Sequence, residues 1–294
     1  MDTKAGTIVV GVDDSESSNS ALAWAADQAL AEHRDLTLVH TIDAVTPAYM
    51  DTALVSPREA SRALRTAGHR VLTSARSKVL RTAPEVEMHD VFRLADPRDA
   101  LIELSYNASL LVLGSRGMGK LPRLLLGSVG VAVVRHAACP VVIHRPWNPG
   151  IVRNGIVVGA DASEDSLAVL EFAYRQASLR DLPLTVLHCF WDVQAAIGVA
   201  PVVAEPPVDL ETERMLLSES MAGLSEKYPE VAVHTEMAHG LPQDALVRMG
   251  ERMNLVVVGA HQSGRVSRML FGTVAISVVE HATCPVAVVL LAAG

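Results

Sequence analysis

Hydrophobic positions along the chain fall into short continuous runs rather than alternating ones. They include IVVG from Ile8, LTLVH from Leu36, LLVLG ending at Gly114, IVVG from Ile156, LTVLH from Leu184 and LVVVG ending at Gly259. Runs of this length predict parallel strands that are covered by helices on both faces. Helical periodicity fills the intervals. Residues 15–33 follow a Ser/Glu-rich start with an apolar stripe of Leu22, Ala26, Ala29 and Leu30, as an amphipathic helix requires. Residues 56–82 and 209–227 predict the second helix of each half, and Pro47, Pro201, Pro206 and Pro207 mark irregular lid-like segments ahead of them. Val129, Ala132, Val133 and His136 share one helical face, and the Gly127-Ser128 pair stands where an N-cap belongs.

The pattern occurs twice. Ile8 aligns with Ile156 and Leu36 with Leu184, both 148 positions apart, whereas Asp99 aligns with Asp244 and Gly114 with Gly259 at a spacing of 145. Each half therefore reads as an α/β unit with five strands, and the fold expected is two tandem five-stranded parallel-sheet domains with helices on both faces. The segment RPWNPGIVRNG, residues 145–155, separates them with two prolines and two glycines. The expected division is 1–147, a linker at 148–153, and 154–294. Duplication also predicts that the halves pack as an intrachain pseudo-twofold dimer through their final strands; pairing of whole chains as a homodimer stays open.

Composition narrows the function. A chain of 294 residues that is 50% hydrophobic can bury two ordinary cores. A formal charge of −8 and no basic run argue against nucleic acid or an anionic membrane as partner. The apolar runs are strand-sized, well short of the roughly 20 residues that span a bilayer, and the start lacks a basic-then-apolar leader, so a cytoplasmic location is expected. Cys139, Cys189 and Cys284 form no CxxC or Cys/His cluster, which reads as buried reduced thiols.

Two glycine-rich loops carry the candidate chemistry: GSRGMGKLPRLLLGS at 114–128 and GAHQSGRVSRMLFGT at 259–273. Each leaves the carboxyl end of a predicted strand and feeds a helix, where freed amides, a hydroxyl and the positive end of the helix dipole favour an anion. A Walker A loop does not fit, because Leu121 occupies the Ser/Thr position and Arg265 replaces the Lys in the second copy; a Rossmann fingerprint is interrupted by Pro122. The spacing Gly114-x2-Gly117-x9-Gly127-Ser128 instead resembles the nucleotide-binding pattern of universal stress proteins. So do the Asp after the first strand, the His-ending second strand and the H-A-x-C-P turn, each present in both halves.

That resemblance implies an adenine nucleotide, ATP before ADP or AMP, and leaves Mg2+ open. It places Asp13 beside the adenine and ribose, the backbone of Thr41 at the adenine edge, and Gly114, Gly117, Gly127, Ser128 and Val129 around ribose and phosphates, with Gly11 and Arg116 as further nucleotide-binding candidates. In the second half the matching set is Gly159, Asp161, Cys189, Gly259, His261, Gly272, Thr273 and Val274. There Gln262 replaces Gly117, so a weaker second site is expected if that position needs φ > 0 or close backbone approach. Other readings of these residues stay open. Asp13 is also a candidate N-cap in competition with Ser15. Arg116, Lys120 and Arg123 either meet a triphosphate or are solvated loop cations. His40 and His188 read as core histidines satisfied by backbone, and His136 and His281 as complements to helix dipoles.

The function expected is an ATP-binding regulator or sensor of the stress response. No machinery for efficient hydrolysis is visible, though slow ATPase activity stays open. The competing classes are a nucleotide-free scaffold and an ATP-using enzyme whose substrate is unseen.

Overall fold

The structure, a computed structural model, describes residues 4–43, 57–117, 126–145, 151–161, 163, 165–190, 210–261 and 269–291. The proline-marked segments, Lys120, Arg123, Gln262 and Arg265 lie outside them. Contacts divide the chain into Met1–Trp147 and Asn148–Gly294.

The first unit runs β1 (Thr7–Gly11), α1 (Glu16–Glu32), β2 (Leu36–Thr41), α2 (Pro57–Thr82), β3 (Met88–Arg93), α3 (Pro97–Ser105), β4 (Ala108–Gly114), α4 (Ser128–His136) and β5 (Val141–His144). Its strands lie in the order β3-β2-β1-β4-β5, and every pairing is parallel. Helices α1 and α2 pack on each other, as do α3 and α4, which is how right-handed crossovers cover the two faces of such a sheet. The second unit repeats this as β6 (Ile156–Gly159), α5 (Ser166–Arg180), β7 (Leu184–Phe190), α6 (Leu210–Lys227), β8 (Val233–His239), α7 (Pro242–Gly250), β9 (Leu255–His261), α8 (Met269–His281) and β10 (Val286–Leu291). Its order, β8-β7-β6-β9-β10, is the same topology, again all parallel. No helix among the described residues is long and apolar enough to cross a membrane.

Sequence runs translate into burial where a strand is covered on both faces. Ile8, Val9, Val10 and their counterparts Ile156, Val157 and Val158 have no exposed surface. The exceptions are β3 and β8, each first in its order, which carry exposed polar residues between apolar ones. Arg153 is buried and donates from Nη2 to the Thr283 carbonyl at 2.7 Å. His136 and His281 each end a helix, and the His281 ring accordingly donates from Nδ1 to the Ser277 carbonyl at 2.8 Å. All three cysteines are free thiols, with Cys139 and Cys284 buried; burial pushes Cys139 up to about 12.

One packing contact ties α2 to the carboxyl-terminal end of the sheet. The Phe92 ring stacks on His40 at 6.2 Å and tilts against His69 at 5.5 Å, while the backbone of Gly68 lies so close that an added Cβ would fall 2.0 Å from the ring. Held between two histidines, the ring has little room to yield. Gly68→Val is therefore expected to lower stability by about 1–3 kcal/mol, read as a lower urea midpoint with an unchanged denaturant slope; an unchanged midpoint would contradict this packing.

Candidate functional site

The strand order reverses beside β1 and β4, and in open parallel sheets such a switch point leaves a crevice beyond the carboxyl ends. β1 pairs with β2 only as far as Gly11 opposite Val39, so Thr41 extends beyond its neighbour toward that crevice. Past β1 the chain is fixed from behind: the Val12 amide donates to the Val39 carbonyl at 2.8 Å, and His40 donates from Nδ1 to the Val12 carbonyl at 2.6 Å. His40 is buried. It is thus a core histidine satisfied by backbone, and it anchors the residue that precedes Asp13.

Asp13 and Ser15 divide the work that the sequence left ambiguous. Ser15 caps α1, accepting from the Ser18 amide at 3.2 Å. Asp13 accepts from the Ser15 amide at 3.1 Å through Oδ1, and its own amide donates to Ser18 Oγ at 3.0 Å. The aspartate is therefore half-buried at the strand exit, with its carboxylate oriented by the turn it closes. The next residue, Asp14, adopts a left-handed φ of 65°, a conformation that Asp tolerates better than most side chains, and pairs with Lys78 at 2.6 Å.

The β4 loop folds onto this turn. An added Cβ on Gly114 would lie 2.7 Å from Ser17 backbone atoms, so the glycine lets the strand end reach the first turn of α1. The Arg116 amide donates to Ser17 Oγ at 3.3 Å, and the hydroxyls of Ser17 and Ser115 lie 3.4 Å apart. A Cβ on Gly117 would approach Asp13 Oδ2 to 2.6 Å. Gly117 has no positive φ; close approach, not backbone strain, is what excludes a side chain there. Gly127 is the N-cap of α4 and its amide donates to the Ser115 carbonyl at 3.2 Å. Ser128 and Val129 are consequently the first two residues of α4, whose amides have no partner within the helix. Gly11 serves packing: its added Cβ would strike Leu113 at 2.7 Å. The structure thus brings Asp13, Gly114, Arg116 and Gly117 together, with Gly127 joined to them through Ser115.

The second unit builds the same turn with stronger ties. Oδ1 of Asp161 accepts from the Ser163 amide at 3.1 Å, Ser163 Oγ at 2.6 Å and Ser166 Oγ at 2.5 Å. His188, buried like His40, donates from Nδ1 to the Ala160 carbonyl at 3.0 Å. Partial desolvation works to raise Asp161, but the Ser163 and Ser166 hydrogen bonds outweigh it and hold the carboxyl below its ordinary 3.8. A cavity of about 120 Å3 opens above this turn. Gly159, Asp161, Cys189, Gly259 and Val274 line it, with Val169, Leu187, Leu246 and Val258 as apolar walls. Burial pushes the Cys189 thiol up to about 11, so a neutral thiol stands where the first unit has Thr41. Of the remaining candidates, His261 ends β9, and Gly272 and Thr273 are the fourth and fifth residues of α8.

Serines are what residue-by-residue reading missed. Ser17, Ser18, Ser115 and Ser166 hold the turn or the loop. The signal was present as a repeated Asp-x-Ser-x-x-Ser, Asp13-Ser15-Ser18 and Asp161-Ser163-Ser166. Among the described residues the grouping suited to a metal is Asp35, Glu87 and His89, at the opposite, amino-terminal end of β2 and β3, where Lys4 and His89 both meet Asp35 at 2.8 Å.

A duplicated parallel sheet with a carboxylate turn at each switch point defines a tandem α/β protein. The chain belongs to the universal stress protein family, whose model matches residues 4–145 and again 153–289. It is 34% identical over 291 residues to a universal stress protein of Mycolicibacterium smegmatis, covering 96% of each chain. To one of Mycobacterium tuberculosis it is 33% identical over 288 residues, covering 96% of this chain and 95% of the relative. The crystal structure of a universal stress protein from Archaeoglobus fulgidus shares the fold at 19% identity, with a TM-score of 0.70 over 98% of this chain and 97% of that one.

The depressed carboxyl has a signed consequence. A carboxylate with a lowered folded-state pKa stabilises above the unfolded value and loses that contribution as pH falls through the folded one. Ser166→Ala is therefore expected to lower stability at neutral pH, with the gap to the parent chain narrowing once pH drops below the ordinary carboxylate range. Urea titrations across that range check this; a gap that is constant with pH would assign Ser166 a packing role alone.

Proposed function

We propose that the first domain binds ATP at the β1/β4 switch point and that the chain acts as a nucleotide-dependent regulator of the stress response, not as an efficient catalyst. The observation that carries the reading is the approach of Gly117 to the Asp13 carboxylate, in a loop that Gly127 joins to the open amino terminus of α4. The residues present fit the ligand. Asp13 offers acceptors suited to ribose hydroxyls, Thr41 extends its backbone past β1 where an adenine edge would lie, and the Ser128 and Val129 amides with the helix dipole suit phosphate oxygens. Arg116 supplies a cation in the same loop. A bound nucleotide would bridge strand exit, loop and helix start, so its phosphate state would be felt as a change in loop position. ADP or AMP would lose part of the α4 contact, and Mg2+ would have to be held chiefly by the nucleotide.

The reading is tested by calorimetric titration of the full chain with ATP. One tight equivalent is expected, weakened by at least about tenfold in Gly117→Gln, since that side chain must displace Asp13 or the loop. Absence of binding by any adenine nucleotide would favour the scaffold reading instead.

A further inference from the structure

The turn that carries Asp13 is tied to a helix beyond its own strand and helix. Lys78, on α2, places Nζ 2.6 Å from Asp14 Oδ1 and 2.7 Å from Asn19 Oδ1, and Asn19 donates from Nδ2 to the Asp14 carbonyl at 3.3 Å. Lysine, aspartate and asparagine thus close a ring of hydrogen bonds that joins α2, the turn and the first turn of α1. At its centre Asp14 holds the left-handed φ of 65°, a conformation that a residue with a Cβ keeps only where its surroundings impose it. On either side of Asp14 stand Asp13, whose carboxylate the turn orients, and Ser15, which caps α1.

The second half lacks this tie. At the spacing of 148 residues, Ala162 and Leu167 stand where the first half has Asp14 and Asn19, and Leu167 is exposed. There the carboxylate is held by its own serines, with the Ser163 and Ser166 hydroxyls on Asp161 at 2.6 and 2.5 Å. Nor is global stability what Lys78 chiefly serves: its side chain is 31% exposed and that of Asp14 52%, and ion pairs so exposed add little to it. What the pair does control is local, the backbone of one residue next to Asp13.

From this ring we infer that Lys78 is a positioning residue of the first-domain nucleotide site: it holds Asp14 in the left-handed conformation and so aims the Asp13 carboxylate, without touching the ligand. This role rests on the proposal that ATP binds at the β1/β4 switch point. Because the tie comes from α2, bound ATP and the seating of α2 on the turn favour each other, each stabilising the conformation that the other needs.

The full chain and its variants are titrated with ATP by calorimetry and denatured with urea in parallel. Lys78→Ala is expected to weaken ATP by about fivefold while the urea midpoint falls only slightly, and Lys78→Arg, which keeps the charge, to recover binding to within about twofold. Asp14→Gly supplies the left-handed backbone without a side chain, so in that background Lys78→Ala should change the affinity by less than about twofold. Unchanged affinity in Lys78→Ala overturns the positioning role. So does an equal loss in the Asp14→Gly background, which would make Lys78 a direct partner of the nucleotide, and so does a urea midpoint that falls in step with the affinity, which would make it a general stabiliser. In each of these cases ATP binding by the parent chain leaves the proposed function standing. A parent chain that binds no adenine nucleotide removes the proposed function and the role of Lys78 together.

Discussion

The polar groups at the carboxyl end of each sheet depend on one carboxylate fixed at the exit of its first strand. Asp13 and Asp161 each close a turn by accepting from the amide two residues on, and each donates its own amide to a serine hydroxyl oxygen. Behind each, a buried histidine donates to the preceding carbonyl. Strand end, helix start and second strand are thereby joined by charge-assisted and buried hydrogen bonds, the stronger kind in a site shielded from water. The apolar runs position the strands, but this turn determines where the polar groups stand.

Duplication kept that frame and changed what lies against it. Gly114 lets its loop touch the backbone of Ser17 in α1, whereas Gly259 meets the side chain of Val169 instead. Gly117 lies on Asp13, while its counterpart in the second half is Gln262. The cavity above Asp161 and the earlier start of α8 accompany these substitutions. Membership of the universal stress protein family, which the match to both halves establishes, fixes the architecture common to the domains. The difference between them lies in a handful of side chains at the switch points.

Much of this was legible in the sequence because it rests on periodicity and local chemistry. Continuous apolar runs marked the covered strands, the two offsets marked the halves, and Ser15 was visible as a cap competing with Asp13. His40 and His188 read correctly as core residues, since both sit within apolar strands. What stayed hidden depends on tertiary neighbours. Nothing local says that Gly11 faces Leu113, that Gly68 makes room for Phe92, or that Ser17 lies against Gly114. Nor does local sequence mark the exposed polar residues of β3 and β8 or the start of α8 at Met269.

The central claim is that the Asp13–Gly117 contact shapes an ATP site, and the most direct measurement is the nucleotide that the protein carries. The chain is purified without added ligand and denatured, and the released small molecules are identified by chromatography beside a Gly117→Ala variant of verified fold. The account predicts adenine nucleotide near one equivalent from the parent chain and much less from the variant, because the added Cβ must push Asp13 from its place. Equal nucleotide content in the two proteins would contradict it, placing any bound nucleotide away from this contact.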